Sequence, residues 1–234
     1  MTQKGNRIKK IFLFAGLLGV PAFFICLFAY GASHKFIPAP YYGPKKVVDG
    51  DTVYYKVPSF TFTDHQGNLV TDESLKGKVI LMTTAMESCP QECPMAINQV
   101  YKFLYQRFKD SKELKDVVLL THLISPDSSK VNASYVIDDL PYDHGKDINF
   151  DKWKFVHGDD NPIYNVNIGD RGNPYLQFRD DVVGGRASNS LIFLVDAERH
   201  IRGFFPATRN EAISEAERIT SLVCHEKSRN AKNR

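Results

Sequence analysis

The chain opens on a charge-free apolar run, IFLFAGLLGVPAFFICLFAY, at residues 11–30. Its length matches the ~20 residues that cross a bilayer and exceeds the ~7–15 of a signal-peptide core. Pro21 within it is tolerable in a membrane helix. Cleavage near AYGAS is the competing reading, and the length of the run disfavours it. Lys4, Arg7, Lys9 and Lys10 precede the run, whereas beyond it Lys35 stands alone until Lys45 and Lys46. That asymmetry predicts a cytoplasmic N-terminus at 1–10, a single-pass transmembrane anchor at 11–30, and the bulk of the chain on the extracytoplasmic (periplasmic) side.

Residues 31–50, rich in Pro and Gly and without helical or strand period, read as a linker. Beyond them SFTFTDHQGNLVT alternates polar and apolar around DHQGN, a hairpin signal. GKVILMTTA (77–85) and KDVVLLTHLI (115–124) are continuous apolar runs of the kind buried parallel strands need, and KWKFVHGD (152–159) predicts a third strand. Between the first two, Ile97, Val100, Tyr101, Leu104 and Phe108 share one face of a helix from Pro94 to Lys109. A second helix, capped by SPDSSK, carries Val131, Tyr135 and Val136.

SLIFLVDAERHIRGFFP (190–206) predicts a β-hairpin turning at DAER. TRNEAISEAERITSLV follows as an amphipathic helix with Ile213, Ala216, Ile219 and Val223 inward. The order predicts an α/β domain at 51–225 with an N-terminal β-hairpin. Its parallel strands bring their C-terminal ends to one edge of the sheet. Residues 226–234 set Lys227, Arg229, Lys232 and Arg234 against Glu226 and read as a frayed basic tail.

With 43% apolar and 24% charged residues, a full core can be built. The net charge of +3 is dispersed rather than gathered into a stripe, which argues against a nucleic-acid partner.

The candidate chemistry lies in ESCPQECP, residues 87–94, after the first parallel strand. Pro94 suits the first turn of a helix, which puts Cys93 at the helix start. The positive end of a helix favours a thiolate, the form that attacks disulfides and binds soft Cu(I). Cys89 and Cys93 can also come within the ~4.4–6.8 Å between Cα atoms that a disulfide requires. Glu87 and Glu92 raise a thiol pKa while attracting a cation. A redox pair, a copper site and two buried core cysteines all remain open on these grounds. Placement between a buried strand and a proline-started helix disfavours the last. Cys26 lies in the apolar span and Cys224 packs on the final helix. Neither supplies the second Cys or His pair a structural zinc site needs.

ESCPQECP resembles the C-P-x-x-C-P motif of the Sco/SenC family, thioredoxin-like proteins tied to copper-site assembly in cytochrome oxidase. YYGP, VPSFTFTDHQGNLVT, LKGKVILM, ISPDSSK and LIFLVDAERHIRGFF are similar to further segments of that family, over most of residues 40–224. The resemblance implies a thioredoxin-like fold on one membrane anchor. It also implies that Cys89 and Cys93 bind copper or cycle between dithiol and disulfide. The partner it implies is the copper-bearing subunit of cytochrome oxidase, or another copper or thiol carrier protein.

One departure bears on the chemistry. The family's third copper ligand is a histidine in an Asp-His pair before the late hairpin, and here that place holds Ser188 after Ala187, or Asn189 on a one-residue slip. Neither side chain is a good Cu(I) ligand. The family's Asp-Pro after the second strand is Ser125-Pro126. His200 lies roughly 20–25 Å from Ser188 across the hairpin strand, and His122 reads as a core histidine. His65, His144 and His225 fall in hairpin, loop and tail. His157 is the remaining third-ligand candidate, about 10 Å away if its strand lies two places from the cysteine-bearing one.

Three functions follow. The resemblance puts first the handling of Cu(I) through Cys89 and Cys93 in respiratory oxidase maturation. Second is a thiol–disulfide oxidoreductase using the same pair, which needs no histidine. Third is a non-catalytic scaffold or sensor, for which a cysteine pair has no use. No recognised peroxide-binding site surrounds the cysteines, which sets peroxidase activity aside.

Overall fold

The computed structural model describes residues 3–31, 37–86, 92–124, 133–138, 140, 146–158, 166, 176–178, 186–188 and 190–232. The chain divides into two compact units, Met1–Ile37 and Pro38–Arg234.

The first unit is one helix, α1 (Gln3–Gly31), with Pro21 inside it. Its side chains are exposed from 13 to 28, including Leu13, Leu17, Phe23 and Phe28. Among the described residues no helix is long and apolar enough to cross a membrane.

The second unit is built on a seven-stranded sheet in the order β11-β10-β5-β6-β7-β3-β4. Its centre is β5 (Val79–Met86), parallel to β6 (Val117–Ile124), which is parallel to β7 (Trp153–His157). Both β5 and β6 are buried along almost their whole length, as continuous apolar runs demand of strands covered on two faces. The expected first hairpin is β3 (Thr61–Asp64) with β4 (Leu69–Thr71), and Asp64 fastens its turn by accepting from the Gln66 and Asn68 amides. The late hairpin is β10 (Leu191–Val195) with β11 (Ile201–Pro206), and β10 runs antiparallel to β5.

Strand alternation divides the core. One face gathers Val79, Leu81, Ala85, Leu119, Leu123, Trp153 and Phe155 beneath the helices. The other gathers Ile80, Met82, Leu120, Val156 and Phe193 with Phe60 and Phe62. The first helix over the sheet is α2 (Glu92–Gln99), which widens into a π-helical segment at Val100–Tyr105 and ends as α3 (Gln106–Phe108). Ile97, Val100, Tyr101, Leu104 and Phe108 are all buried, as their spacing predicted. The short α4 (Ser134–Ile137) buries Val136, while Val131 and the SPDSSK cap lie outside the described residues. The last helix, α5 (Asn210–Lys232), packs Ile213, Ala216, Ile219 and Val223 inward.

Two segments differ from their sequence reading. Part of the stretch read as a linker is folded: β1 (Lys45–Val48) pairs with β2 (Asp51–Tyr54). Their two-residue turn puts Asp49 (φ 53°) and Gly50 (φ 87°) in the left-handed region, the geometry that matches the right-handed twist of the strands. Ala39 is buried, and Tyr42 bridges Ile201 on β11. The second segment is the basic tail. Helix α5 runs on through it, Glu226 is buried, and Lys227 donates to the Gly77 carbonyl at 2.6 Å and to the Asp116 carboxylate. Glu226 and Lys227 thus have fixed partners in the domain, and the helix is fastened as far as Lys227.

These partners converge on Arg202 of β11, whose side chain is 3% exposed. It donates to Asp196 (3.0 Å), to Glu226 (2.6 Å) and to the carbonyls of Ala39 (2.6 Å) and Pro40 (3.1 Å). Its guanidinium carbon stands 4.0 Å from the centre of the Tyr41 ring. A buried cation is tolerated only when paired and hydrogen-bonded, and here it is both.

Candidate functional site

The strand carrying the cysteine loop is the centre of the sheet, and it ends at Met86. Residues 87–91, Cys89 among them, lie outside the described residues. Helix α2 starts at Glu92, so the backbone of Cys93 occupies its first turn with Pro94 following. Pro suits that position because its missing N–H would have no partner there in any case. Tyr135 of α4 donates to the Ala85 carbonyl at 3.4 Å and holds the end of β5 from the helical side.

Ser188, read from the sequence as the counterpart of the family's histidine, ends β9 (Arg186–Ser188), which pairs with β8 (Leu176–Phe178) through Leu176. β9 lies against β5 and β6, so the chain brings this position to the cysteine-bearing strand. Asn189 lies outside the described residues. Ser190 follows with a left-handed φ of 49° and fixes the entry to β10, its carbonyl accepting from the Ala207 amide at 2.8 Å.

His157 ends β7, two strands from β5, as its candidacy required. It falls two residues after Phe155 and therefore points to the same, helix-covered face. Two strand spacings put it about 10 Å from β5 across the sheet. It is half-buried and paired in register with Thr63.

The other histidines are elsewhere. His122 is buried on the opposite face, 5.1 Å from the Phe62 ring, a core histidine as expected. His200 sits in the hairpin turn between Asp196 (3.4 Å) and the rings of Tyr41 and Tyr54, at the far end of β10 from Ser188. His65 packs on Phe150 with ring centres 4.3 Å apart, and burial pushes its pKa down against the pull of Asp64. His225 is exposed on α5, and His144 lies outside the described residues. Cys26 is exposed on α1. Cys224 is buried, and that burial raises its thiol pKa to about 11. Among the described residues no three His, Cys, Asp or Glu side chains cluster around a common point.

A hydrogen-bonded aromatic group lies below α2 on the face that His157 shares. Trp153 donates its indole N–H to the Thr121 hydroxyl at 2.8 Å, and that hydroxyl is 2.9 Å from the hydroxyl of Thr83 on β5. Tyr101 and Tyr105, both in the π-helical segment, lie over the Trp153 ring at 6.1 and 5.3 Å between centres. The Tyr101 hydroxyl donates to Asp147 at 2.5 Å, while Tyr105 donates to the Asp147 backbone carbonyl at 3.0 Å. Gln106 and Lys109 hold the same carboxylate at 3.0 and 2.8 Å. Sequence reasoning assigned Tyr101 to the core and gave no part to Asp147. No local pattern marks an acid whose partners lie 38 to 46 residues away on another element.

Residues 50–132 match the SCO1/SenC family model. No curated protein matches the chain. In structure it is similar to BsSco, a member of the Sco family of cytochrome c oxidase assembly proteins in which a disulfide switch has been identified. The identity is 19%, over 73% of this chain and 94% of that one, at a TM-score of 0.50. A SCO1/SenC family lipoprotein from Bacillus anthracis str. Ames is 17% identical over 70% of this chain and 95% of that one, at 0.49. Bradyrhizobium japonicum ScoI with copper bound is 22% identical over 70% and 99%, at 0.47. Membership of the SCO1/SenC family is supported by the match over residues 50–132 and by the α/β thioredoxin-like fold shared with BsSco.

Proposed function

We propose that this chain carries Cu(I) as cargo between the thiolates of Cys89 and Cys93 in the maturation of cytochrome oxidase. It does so from a domain held at the membrane by the apolar run 11–30. The observation that carries the reading is the backbone of Cys93 in the first turn of α2, directly beyond the central strand β5. Two thiolates on one Cu(I) leave a net negative charge, which the positive end of a helix favours. Soft sulfur donors select Cu(I) over harder ions. His157, on the same face and sheet edge, is the third donor within a loop's reach.

The test is an anaerobic Cu(I) titration of the reduced full chain in detergent against a competing chelator, beside Cys89→Ser and Cys93→Ser. One tightly held ion, lost in both variants, is expected. Competition that is unchanged in either variant would remove the cysteine pair from the reading. The anchor has its own test: carbonate-resistant sedimentation with membranes is expected of the full chain and not of one lacking residues 11–30.

One observation favours a second reading. Ser188, which the sequence resemblance sets in place of the family's histidine, lies on β9 against β5 and is a poor ligand for copper. Without tight metal binding the same pair serves thiol–disulfide exchange with a carrier protein, one cysteine attacking and the other resolving the mixed disulfide. A Cys89–Cys93 disulfide in redox equilibrium with glutathione, together with no competitive Cu(I) binding, is the result that selects it.

A further inference from the structure

The group formed by Trp153, Tyr101 and Asp147 has three properties that packing alone does not require. The sole tryptophan of the chain stacks on Tyr101 and meets Tyr105 at a tilt, all three fully buried. The π-helical segment sets those tyrosines, four residues apart, over one ring, and such segments recur at functional sites. The two phenols are also held differently. Tyr101 faces a carboxylate, whereas Tyr105 faces a backbone carbonyl and accepts from the Asn149 amide at 2.6 Å.

That difference sets a direction for one-electron chemistry. Oxidised tryptophan keeps its proton here, because its N–H meets a neutral hydroxyl, Thr121, rather than a base. Oxidised tyrosine is a strong acid, and only Tyr101 has an ionised acceptor for its proton. Lys109 and Gln106 hold Asp147 in that ionised form. A hole on Trp153 therefore runs downhill to Tyr101. Asp147 is 38% exposed, so the path meets solvent there, beside a shallow depression of about 400 Å³ lined by Tyr101, Lys102, Gln106 and Asp147. Tyr101 lies on the helix that carries Cys93, eight residues and about 12 Å of helix rise from it.

We propose that Trp153, Tyr101 and Asp147 form a one-electron relay that drains oxidising equivalents from beneath the helix that carries Cys93 to the protein surface. The relay is independent of what the cysteines bind; its protective role rests on reading Cys89 and Cys93 as the reactive pair. The oxidant is of the hydroxyl-radical class, formed when hydrogen peroxide meets a reduced metal ion. It takes one electron from Trp153 and leaves as hydroxide. Trp153 recovers that electron from Tyr101, whose phenol proton passes to Asp147. A small surface reductant of the ascorbate class returns a hydrogen atom to the Tyr101 oxygen, and Asp147 releases its proton to water. The thiols are spared the irreversible steps to sulfinic and sulfonic acid.

The test starts from the copper-free, reduced full chain in detergent. Ultraviolet laser photoionisation places the hole on Trp153, and transient absorption follows the tryptophanyl and tyrosyl signals. Decay of the first with matching growth of the second is expected. Tyr101→Phe should abolish most of the tyrosyl growth, and Tyr105→Phe should leave it. Asp147→Asn should slow the transfer by roughly tenfold or more, since it replaces a charge-assisted acceptor. No tyrosyl growth in the parent chain, or equal growth in Tyr101→Phe, would overturn the relay. Circular dichroism checks that each variant is folded.

In a second arm, the full chain is exposed to peroxide and Cu(I), and mass spectrometry reads sulfinic acid at Cys89 and Cys93. Tyr101→Phe should raise it several-fold over the parent and over Tyr105→Phe. Equal over-oxidation in all three would overturn the protective role, and it would do so without reference to copper affinity.

Discussion

Arg202 and Glu226, 24 residues apart in sequence, meet at 2.6 Å with both side chains almost fully out of solvent. The same carboxylate accepts from the Ala39 amide through its other oxygen. One acid thus ties the start of the second unit, strand β11 and helix α5 together. Replacing Arg202 by Met keeps much of the volume but leaves Glu226 and Asp196 buried without their cation. The expected loss is about 3–5 kcal/mol, the cost of breaking a buried pair by removing one partner. Urea unfolding checks it, and a loss of less than about 1 kcal/mol would assign the pair no such part.

Asp147 gives the domain an acid-sensitive contact. Burial opposes its ionisation, but hydrogen bonds from Lys109, Tyr101 and Gln106 outweigh that and hold its pKa at about 2, against 3.8 for the free side chain. A lowered folded pKa adds stability above the unfolded value, and that stability is lost as pH falls through the folded one. The parent chain should therefore lose stability between about pH 4 and pH 2 faster than Asp147→Asn. The carboxylate is partly exposed, so the difference is small. Parallel slopes of unfolding free energy against pH in that window would contradict the assignment.

Ser188 offers a gain of function. Strand β9 brings its backbone against β5, so Ser188→His offers an imidazole where the sequence resemblance sets the family's ligand. Cu(II) affinity should rise about tenfold or more, equivalent to at least ~1.4 kcal/mol. The Cu(II) electron paramagnetic resonance spectrum should gain nitrogen coupling. An unchanged spectrum would mean that this position does not reach the copper.

Cys224 should be chemically silent in the folded chain. Burial raises its pKa to about 11, with Lys227 pulling it down and Asp116 up, and only the thiolate reacts with alkylating agents. At pH 8 iodoacetamide should label it only after unfolding, as read by peptide mass spectrometry. Rapid labelling of native Cys224 would show that α5 opens there.

Much of the fold was legible because its signals are local. The buried strands appear as apolar runs, and the faces of α2 and α5 follow from spacing alone, residue by residue. His157 could be singled out because strand order at the sheet edge follows from chain order in parallel pairs. The β1–β2 hairpin was missed although Asp49-Gly50 between Val48 and Asp51 is a recognised two-residue turn signal; the surrounding Pro and Gly concealed it. Other features could not be read at all. Ala39 meets Glu226 across 187 positions, and Tyr101 meets Asp147 across 46. Side chains that pair over such distances carry no pattern in the sequence, and the π-helical widening has no periodicity of its own.

The fastening of α5 also bears on the order in which the chain is completed. Arg202 waits for Glu226, and Asp116 waits for Lys227, both within the last ten residues of the sequence. A chain emerging from its N-terminus holds its central strands long before it holds the two residues that lock them. Until those arrive Arg202 and Asp116 lack these partners, so the ties that close the domain form after its sheet is already in hand.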